Sequence, residues 1–409
     1  MHNSRVTEPL LRQIAAGCAR CQLDPSASGP DSLAVAVSGG VDSVVLLAAL
    51  HALGARPTVV SLDHGLRPES ADELRFVGAL ADRLGLPFVG ARLELSGEGS
   101  RAAAARAARY AFLDRLPQPA VALGHHLDDQ AETTLHHLIR GSGARGLAAM
   151  RPRRGKYLRP MLEIARSDIL EYARTNALSW VEDPSNPRSS RGAIRAEVMP
   201  VLTRLRPGAS AAIARSARLL AEDDALLEQL SEPLWLGDAI ALEPWAQAPD
   251  PLRRRALLRL AREAGAPEVG SVHIDAALTL RSPGAALCLP SGWSFAVDPG
   301  ALRCLPPLPE RGRVRAGTWG LWQVEASEET DIRPVHPGET LLGRSVREGL
   351  RALGLPPSLR PYHPVFERGE SRFIPGLGRE GAPAPRGVHV LCSRRAVGAP
   401  AGGPFIFEL

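Results

Sequence analysis

The sequence predicts an α/β protein: a parallel sheet with helices on both faces, then a mainly helical domain and a small α+β C-terminal domain. Three observations predict it. Short apolar runs at Leu33–Val37, Thr58–Leu62, Phe88–Leu93 and Ala120–Leu123 alternate with segments of helical periodicity, the pattern of βαβ units joined by right-handed crossovers. The first run ends in a glycine turn, Ser38-Gly39-Gly40-Val41-Asp42-Ser43, that opens a helix. The residues richest in chemistry fall where such runs end, and in a parallel sheet the carboxyl ends of the strands are where ligands sit.

Taken in order, the chain begins with an amphipathic helix around Leu10–Ala19 and a polar DPSASGPDS loop. After the glycine turn, Val44, Leu47 and Leu50 recur at helical spacing. The second apolar run leads into Asp63-His64-Gly65-Leu66-Arg67 and a helix over about Glu69–Leu84. An alanine-rich helix, Arg101–Leu116, follows the third run, and the fourth precedes Gly124. Residues 207–230 read as a helix with Ala211, Ile213, Ala214, Ala217 and Leu220 on its apolar face. Helices are expected at Pro251–Glu263 and Val272–Leu280, and strand-like runs at Ala285–Leu289 and Phe295–Val297. The proline- and charge-rich stretch from Leu305 reads as a linker. The expected division is 1–206, 207–304, a linker at 305–314, and a module at 315–409 ending in the apolar Phe405–Leu409. There is no internal repeat.

At 409 residues and 43.6 kDa the chain has room for two or three separate cores,. Mean hydropathy is −0.07 and no run approaches the ~18 apolar residues of a membrane span, so none is expected,. The opening MHNSRVTEPLLRQIAAG lacks a basic leader before a long apolar core and does not read as a signal peptide. Five scattered cysteines (Cys18, Cys21, Cys288, Cys304, Cys392) suit a reducing cytoplasm better than a disulfide framework,. Cys18-x-x-Cys21 has no second CxxC to complete a four-ligand site, which favours chance placement in a helix.

The net charge is +5, unevenly spread. From Arg151 to Arg218, 14 Arg or Lys stand against six acids, a local +8, so the rest of the chain sums to −3. A basic stretch in an otherwise slightly acidic chain suggests a polyanion partner. Arginine makes up 48 of the 49 basic residues; base composition explains that preference but not the clustering.

Two glycines in Ser38–Ser43 let the backbone turn sharply and approach a ligand with no Cβ in the way. The unpaired N–H groups of the first helical turn then favour phosphate, and Ser38 and Ser43 can add hydrogen bonds. A glycine turn without a ligand is the plainer reading of a lone GG. A Walker loop is excluded, because the only lysine, Lys156, has Met150 where that motif needs its first Gly,. The hexamer resembles the SGGxDS loop of the PP-loop ATP pyrophosphatases, which implies a Rossmann-like fold and cleavage of ATP between its α and β phosphates.

The second carrier of chemistry is Gly124-His125-His126-Leu127-Asp128-Asp129-Gln130-Ala131-Glu132-Thr133. If Leu127 onward is helical, His125, Asp129 and Glu132 lie along one face at the helix start. Carboxylates there could hold Mg²⁺, orient an ammonium group or accept a proton, or simply be a solvated acidic first turn. A lone His among carboxylates is a weak zinc signature.

Together SGGVDS (38–43), DHGLR (63–67), ARAARY (105–110), GHHLDDQAET (124–133), RGSGARGLAAM (140–150), LRPML (158–162), WVEDPSN (180–186) and IRAEVMPVL (194–202) resemble the ordered motif series of the tRNA(Ile)-lysidine synthetase family. Residues 335–366 are similar, more loosely, to that family's C-terminal domain. Ala102 and Gly192 depart from the pattern, where the family usually has Glu and Asn, and no role is carried onto them.

The resemblance implies ATP and Mg²⁺ as cofactors, and L-lysine and tRNA(Ile) with a CAU anticodon as partners, in a cytoplasmic enzyme with no membrane association; a homodimer is left open. It implies that Ser38, Gly39, Gly40, Val41 and Ser43 cradle phosphate, with Asp42 helping to hold Mg²⁺. Asp63, His64 and His125 line the nucleotide side, and Arg109 and Arg140 meet the phosphates or the base. Asp129 and Glu132 bind or deprotonate the lysine ammonium, and Arg151, Arg153, Arg154, Arg191 and Arg195 grip tRNA. Two other readings carry discriminating features. A PP-loop tRNA thiolase needs cysteines at the site, and no cysteine falls between 22 and 287. A non-catalytic tRNA-binding protein would have a vestigial nucleotide loop, whereas SGGVDS is intact.

Overall fold

The computed structural model describes residues 4–63, 70–93, 101–182, 190–368, 371–380, 389–394 and 405–408. They form two compact units, Met1–Ala225 and Leu226–Leu409.

In the first unit the chain runs α1 (Ser4–Arg20), β1 (Leu33–Ala36), α2 (Val41–Ala52), β2 (Thr58–Asp63), α3 (Ser70–Leu84), β3 (Phe88–Arg92), α4 (Arg101–Arg115), β4 (Ala120–Leu123) and α5 (Leu127–Ile139). After it come α6 (Ala144–Leu147), a two-strand excursion β5 (Arg153–Arg154) and β6 (Tyr157–Leu158), then α7 (Arg166–Thr175) and α8 (Ser190–Ala193). A π-helical turn, Ile194–Val198, leads into α9 (Met199–Leu205) and α10 (Ala209–Ser231). The sheet order is β3-β2-β1-β4-β6-β5, parallel throughout except for the edge pair β5–β6. The four predicted strands are β1 to β4, four neighbours that run inward from the β3 edge of the sheet. The β5–β6 pair is too short to show a period in the sequence.

Alternation along β1 explains the two helical layers. Leu33 and Val35 point to one face, where Val44, Leu47 and Leu50 of α2, Val77 of α3 and Ile169 of α7 close over them. Ala34 points to the other, with Val60, Val121 and Leu113 of α4. Such burial contributes ~1.5–3 kcal/mol per large side chain. Chain order reverses between β1 and β4, so their ends part and open a crevice, the usual ligand position in open α/β sheets. Register sets its floor: Ala36 pairs with Val60 on one side and Leu123 on the other.

The second unit holds β7 (Trp235–Leu236), β8 (Ala239–Ala241), α11 (Leu242–Gln247), α12 (Asp250–Ala264), α13 (Ser271–Ala277), β9 (Ala286–Cys288), β10 (Ser294–Asp298) and β11 (Ala301–Leu305). The predicted helices are α12 and α13, and the strand-like runs are β9 and β10. The sheet they join has five strands, β7-β8-β11-β10-β9, packed on Trp245 and Phe295. Beyond it, β12 (Gly312–Trp319) and the long β13 (Trp322–Pro334) anchor a second antiparallel sheet. Its core is built on Trp322, Val324, Ile332, Phe366 and Phe373.

Candidate active site

The glycine loop owes its shape to residues within it. Gly39 has φ +87°, a left-handed backbone that disfavours any side chain,. Ser43 closes the loop from inside: its Oγ accepts the Ser38 N–H at 3.1 Å and donates to the Gly40 carbonyl at 2.8 Å. The Ser43 hydroxyl is thus committed to the backbone, while Ser38 Oγ, 3.3 Å from it, faces the crevice. Val41 packs into the core and offers a ligand only its N–H. From outside, the Val181 N–H donates to the Gly39 carbonyl at 2.9 Å, so the segment after Trp180 buttresses the turn. Gly124 completes it: a Cβ there would lie 3.1 Å from the Ser43 nitrogen, so its absence lets β4 end against the first turn of α2.

The crevice above is a cleft of about 190 Å³ with an apolar floor of Ala36, Val37, Val60, Leu62 and Leu123. Its walls carry Ser38, Gly40, Asp42, Ser43, Arg109, Gly124 and His125. Three buried polar atoms around it have no hydrogen-bond partner among the described residues: Asp42 Oδ1, Arg109 Nε and His125 Nδ1. Buried polar groups in a folded protein are normally satisfied, so three orphans on residues that line one cleft point to a polar ligand there. Burial pushes the Asp42 carboxyl above its ordinary range against the pull of His126. Burial, reinforced by Arg159, Arg109 and Arg191 and opposed by Asp129, pushes His125 down to about 3, so its imidazole is neutral.

Asp42 is also the residue that fits a divalent cation. Its free Oδ1 and a cleft that admits phosphate match Mg²⁺, which takes one or two carboxylates and completes its shell with phosphate oxygens and water.

Beside the cleft, α5 begins at a cap the sequence reading did not single out. His126 is buried; its Nδ1 accepts the Asp128 N–H at 3.3 Å, and its own backbone N–H donates to Asp129 Oδ2 at 3.1 Å. With Nδ1 accepting, the ring proton belongs on Nε2, which lies 3.4 Å from Asp129 Oδ2 and 3.7 Å from Asp42 Oδ2. One buried imidazole therefore stands between the cleft carboxylate and the acidic helix start. The available signal was position alone: a polar residue directly before Leu-Asp-Asp is an N-cap candidate, though His is an unusual one.

The two neighbouring aspartates separate in role. Asp128 turns away and accepts the Arg166 N–H at 3.0 Å, fixing the start of α7. Asp129 and Glu132 share one face, as their spacing predicted, and that face turns inward. Both are met by Arg195, whose Nε reaches Glu132 Oε1 at 2.6 Å and whose terminal nitrogen reaches Glu132 Oε2 at 2.9 Å and Asp129 Oδ1 at 3.0 Å. Burial would raise the Asp129 carboxyl, but His126, the capping N–H and Arg195 outweigh it and hold it low. The Glu132 bond raises Arg195 despite its partial burial. Gln130, between them, donates to the Met150 carbonyl at 2.9 Å and accepts the Met150 N–H at 3.0 Å, tying α5 to the strand excursion.

The other predicted residues scatter. Arg109 lines the cleft. Asp63 is buried at the end of β2, 3.9 Å from Arg92, and Leu62 rather than Asp63 meets the cleft. His64 lies outside the described residues. Arg140 is the exposed C-cap of α5, eleven residues from Asp129, or roughly 17 Å along the axis at 1.5 Å per residue; the structure does not bring it to the cleft. Arg191 donates to the Asp129 carbonyl at 3.4 Å, so it and Arg195 belong to the acidic corner. Arg151 pairs with Asp224 at 2.7 Å. Arg153 and Arg154 are exposed on β5. Cys18 and Cys21 sit in the core, Cys21 Sγ lying 3.2 Å from the Pro152 carbonyl, and burial pushes the Cys18 thiol up to about 12. A thiolase chemistry at this cleft gains nothing from them.

An intact glycine loop at a topological switch point, with orphaned polar atoms above it, defines a nucleotide-binding domain. A family model described as a PP-loop domain matches residues 12–202, and the class is that of ATP-using PP-loop proteins. A tRNA(Ile)-lysidine synthase of Thermus thermophilus is 36% identical over 382 residues, covering 88% of this chain and 71% of its own. One from Azoarcus sp. (strain BH72) is 36% identical over 407 residues, covering 87% and 90%. A third, from Geobacter sulfurreducens, is 44% identical over 219 residues, 49% of this chain and 46% of its own. The chain belongs to the tRNA(Ile)-lysidine synthase family. No helix among the described residues is long and apolar enough to cross a membrane.

Proposed function

We propose that this chain ligates L-lysine to C2 of the wobble cytidine of a tRNA(Ile) with a CAU anticodon, consuming ATP and releasing AMP and pyrophosphate. In the first step the cytosine O2 attacks the α-phosphate and pyrophosphate leaves. In the second the lysine side-chain amine, having lost a proton, attacks C2, and AMP departs carrying the former O2. The observation that carries this reading is the juxtaposition of the two half-sites. A phosphate-receiving cleft and a buried carboxylate pair lie on either side of one histidine.

On this reading the loop N–H groups and Ser38 hold the phosphates, Ser43 holds the loop, and Arg109 faces the charge that develops as pyrophosphate leaves. Neutral His125 can hydrogen-bond there without adding charge. Asp42 would hold Mg²⁺, which supplies charge neutralisation at the phosphates when bound. Asp129 and Glu132 receive the lysine ammonium. Its ordinary pKa of ~10.4 means a base must free the amine, and the low-lying Asp129 suits orienting better than deprotonating.

Residues 1–206 would carry the chemistry, while 207–304 and 315–409, joined by 305–314, would bind tRNA in a cytoplasmic enzyme. Arg151, Arg153 and Arg154 would meet the tRNA backbone, with salt-sensitive affinity; Arg140 on the exposed end of α5 would act there rather than on ATP. The test is incubation with ATP, radiolabelled lysine and unmodified tRNA(Ile) bearing CAU. Label in the tRNA with stoichiometric AMP is expected; AMP formation without label in the tRNA would refute the reading.

A further inference from the structure

The carboxylates that this reading gives to the lysine ammonium are already occupied by the protein's own cation. All four oxygens are engaged: Glu132 Oε1 and Oε2 and Asp129 Oδ1 by Arg195, and Asp129 Oδ2 by the His126 N–H. Glu132 borders the adjoining cavity, yet its side chain is only 4% exposed with Arg195 in place, so the guanidinium covers the approach that a second cation wanting about three acceptors would use,. Arg195 is differently placed. Its side chain is 40% exposed, and it lines that cavity, of about 560 Å³, with Glu132, His126, Asp128, Arg166 and Thr203. It therefore has somewhere to go without crossing packed core. Its backbone lies in the π-helical turn Ile194–Val198, a form found frequently at functional sites.

We propose that Arg195 is the resident counter-cation of the amine site, and that lysine enters only as Arg195 leaves. The inference rests on the reading above that Asp129 and Glu132 bind lysine. Its physical basis is the cost of a buried carboxylate with no partner: neither cation departs until the other replaces it, which makes the exchange one-for-one. The species that draws the guanidinium outward is an anion, and the α-phosphate is one, first in bound ATP and then in the adenylylated base. Amine binding thereby follows the arrival of the nucleotide, and lysine is held off the empty protein. Arg195 is on this account a positioning residue that sets the order of events.

The test is equilibrium dialysis of the full-length protein with radiolabelled L-lysine, without ATP or tRNA. If the competent state is a minor one, apparent affinity is reduced by its fraction. Arg195→Gln is then expected to bind free lysine at least ~10-fold tighter than the unmodified protein, and to show a larger lysine-induced rise in Tm. Arg195→Lys keeps a cation but loses the two-pronged pairing; it is expected to gain an intermediate amount, and serves if the glutamine variant unfolds. Equal or weaker lysine binding by these variants overturns the exchange. A Glu132→Gln variant separates the two levels. If it abolishes lysine transfer while the Arg195 variants gain nothing, only the exchange falls. If it leaves lysine transfer intact, the reading of the amine site falls and the exchange with it.

Discussion

The glycine-loop cleft and the acidic corner of α5 lie on either side of one histidine, yet they treat their polar groups in opposite ways. The cleft leaves Asp42 Oδ1, Arg109 Nε and His125 Nδ1 buried and unbonded. In the corner every oxygen of Asp129 and Glu132 meets a protein donor. The first is a cavity that gains bonds when a ligand arrives; the second is a closed circuit that must give one up. Preorganisation of this kind favours fast, direct binding in the cleft, and partner exchange in the corner.

The largest effect that would break this contrast comes from the corner. Glu132→Gln removes the charge both Arg195 and lysine would use. It is expected to lower lysine transfer by about 10²-fold or more while leaving tRNA-dependent pyrophosphate release within about threefold, measured as two separate products. Equal losses in both would merge the two half-sites into one.

A smaller effect is expected in the cleft. Gly39→Ala forces a side chain into φ +87°, at a cost of ~1–2 kcal/mol. Tm should fall, and kcat/KM for ATP should fall about tenfold, a loss of roughly 1.4 kcal/mol of transition-state stabilisation. Lysine binding by the acidic corner should not change.

His125 sharpens the contrast through pH. Its pKa is depressed to about 3 in the folded protein, so between that value and the unfolded value near 6.5 the unfolded chain binds the extra proton, and stability falls as pH falls. His125→Gln should flatten that acid slope by up to about 1.4 kcal/mol per pH unit, read from urea unfolding between pH 4 and 6.5. Asp129 works in a lower window. Its depressed pKa gives stability that is present above its ordinary value and lost only as pH falls through the folded one,.

The mildest change is at the rim. Replacing the exposed Arg153 and Arg154 with Ala should reduce the salt slope of tRNA binding by about 1–2, measured by filter binding across salt, with ATP binding by the free protein unaltered.

What the sequence made legible follows from length of pattern. The first four strands and the helices between them are periodic enough to read, and the glycine loop and acidic helix start follow from local spacing. The Ser43 closure was not legible, because a hydroxyl beside a phosphate loop reads equally well as ligand or lock. Nor was the Arg195 clamp, which joins residues 63 positions apart in the chain. From a basic stretch alone Arg195 looked like its neighbours Arg151 and Arg153; only the fold turns it inward. His126 and His125 are adjacent in sequence and look equivalent. One becomes the helix cap, and the other is left with an orphaned nitrogen in the cleft.

The most direct trial of a cleft that activates and a corner that accepts is a two-label experiment with α-³²P-ATP, ¹⁴C-lysine and unmodified tRNA(Ile). Without lysine, ³²P is expected on the tRNA together with free pyrophosphate. On adding lysine, ³²P should leave as AMP while ¹⁴C enters one for one. Entry of ¹⁴C with no ³²P-tRNA at any time, or ³²P-tRNA that lysine never discharges, would contradict it.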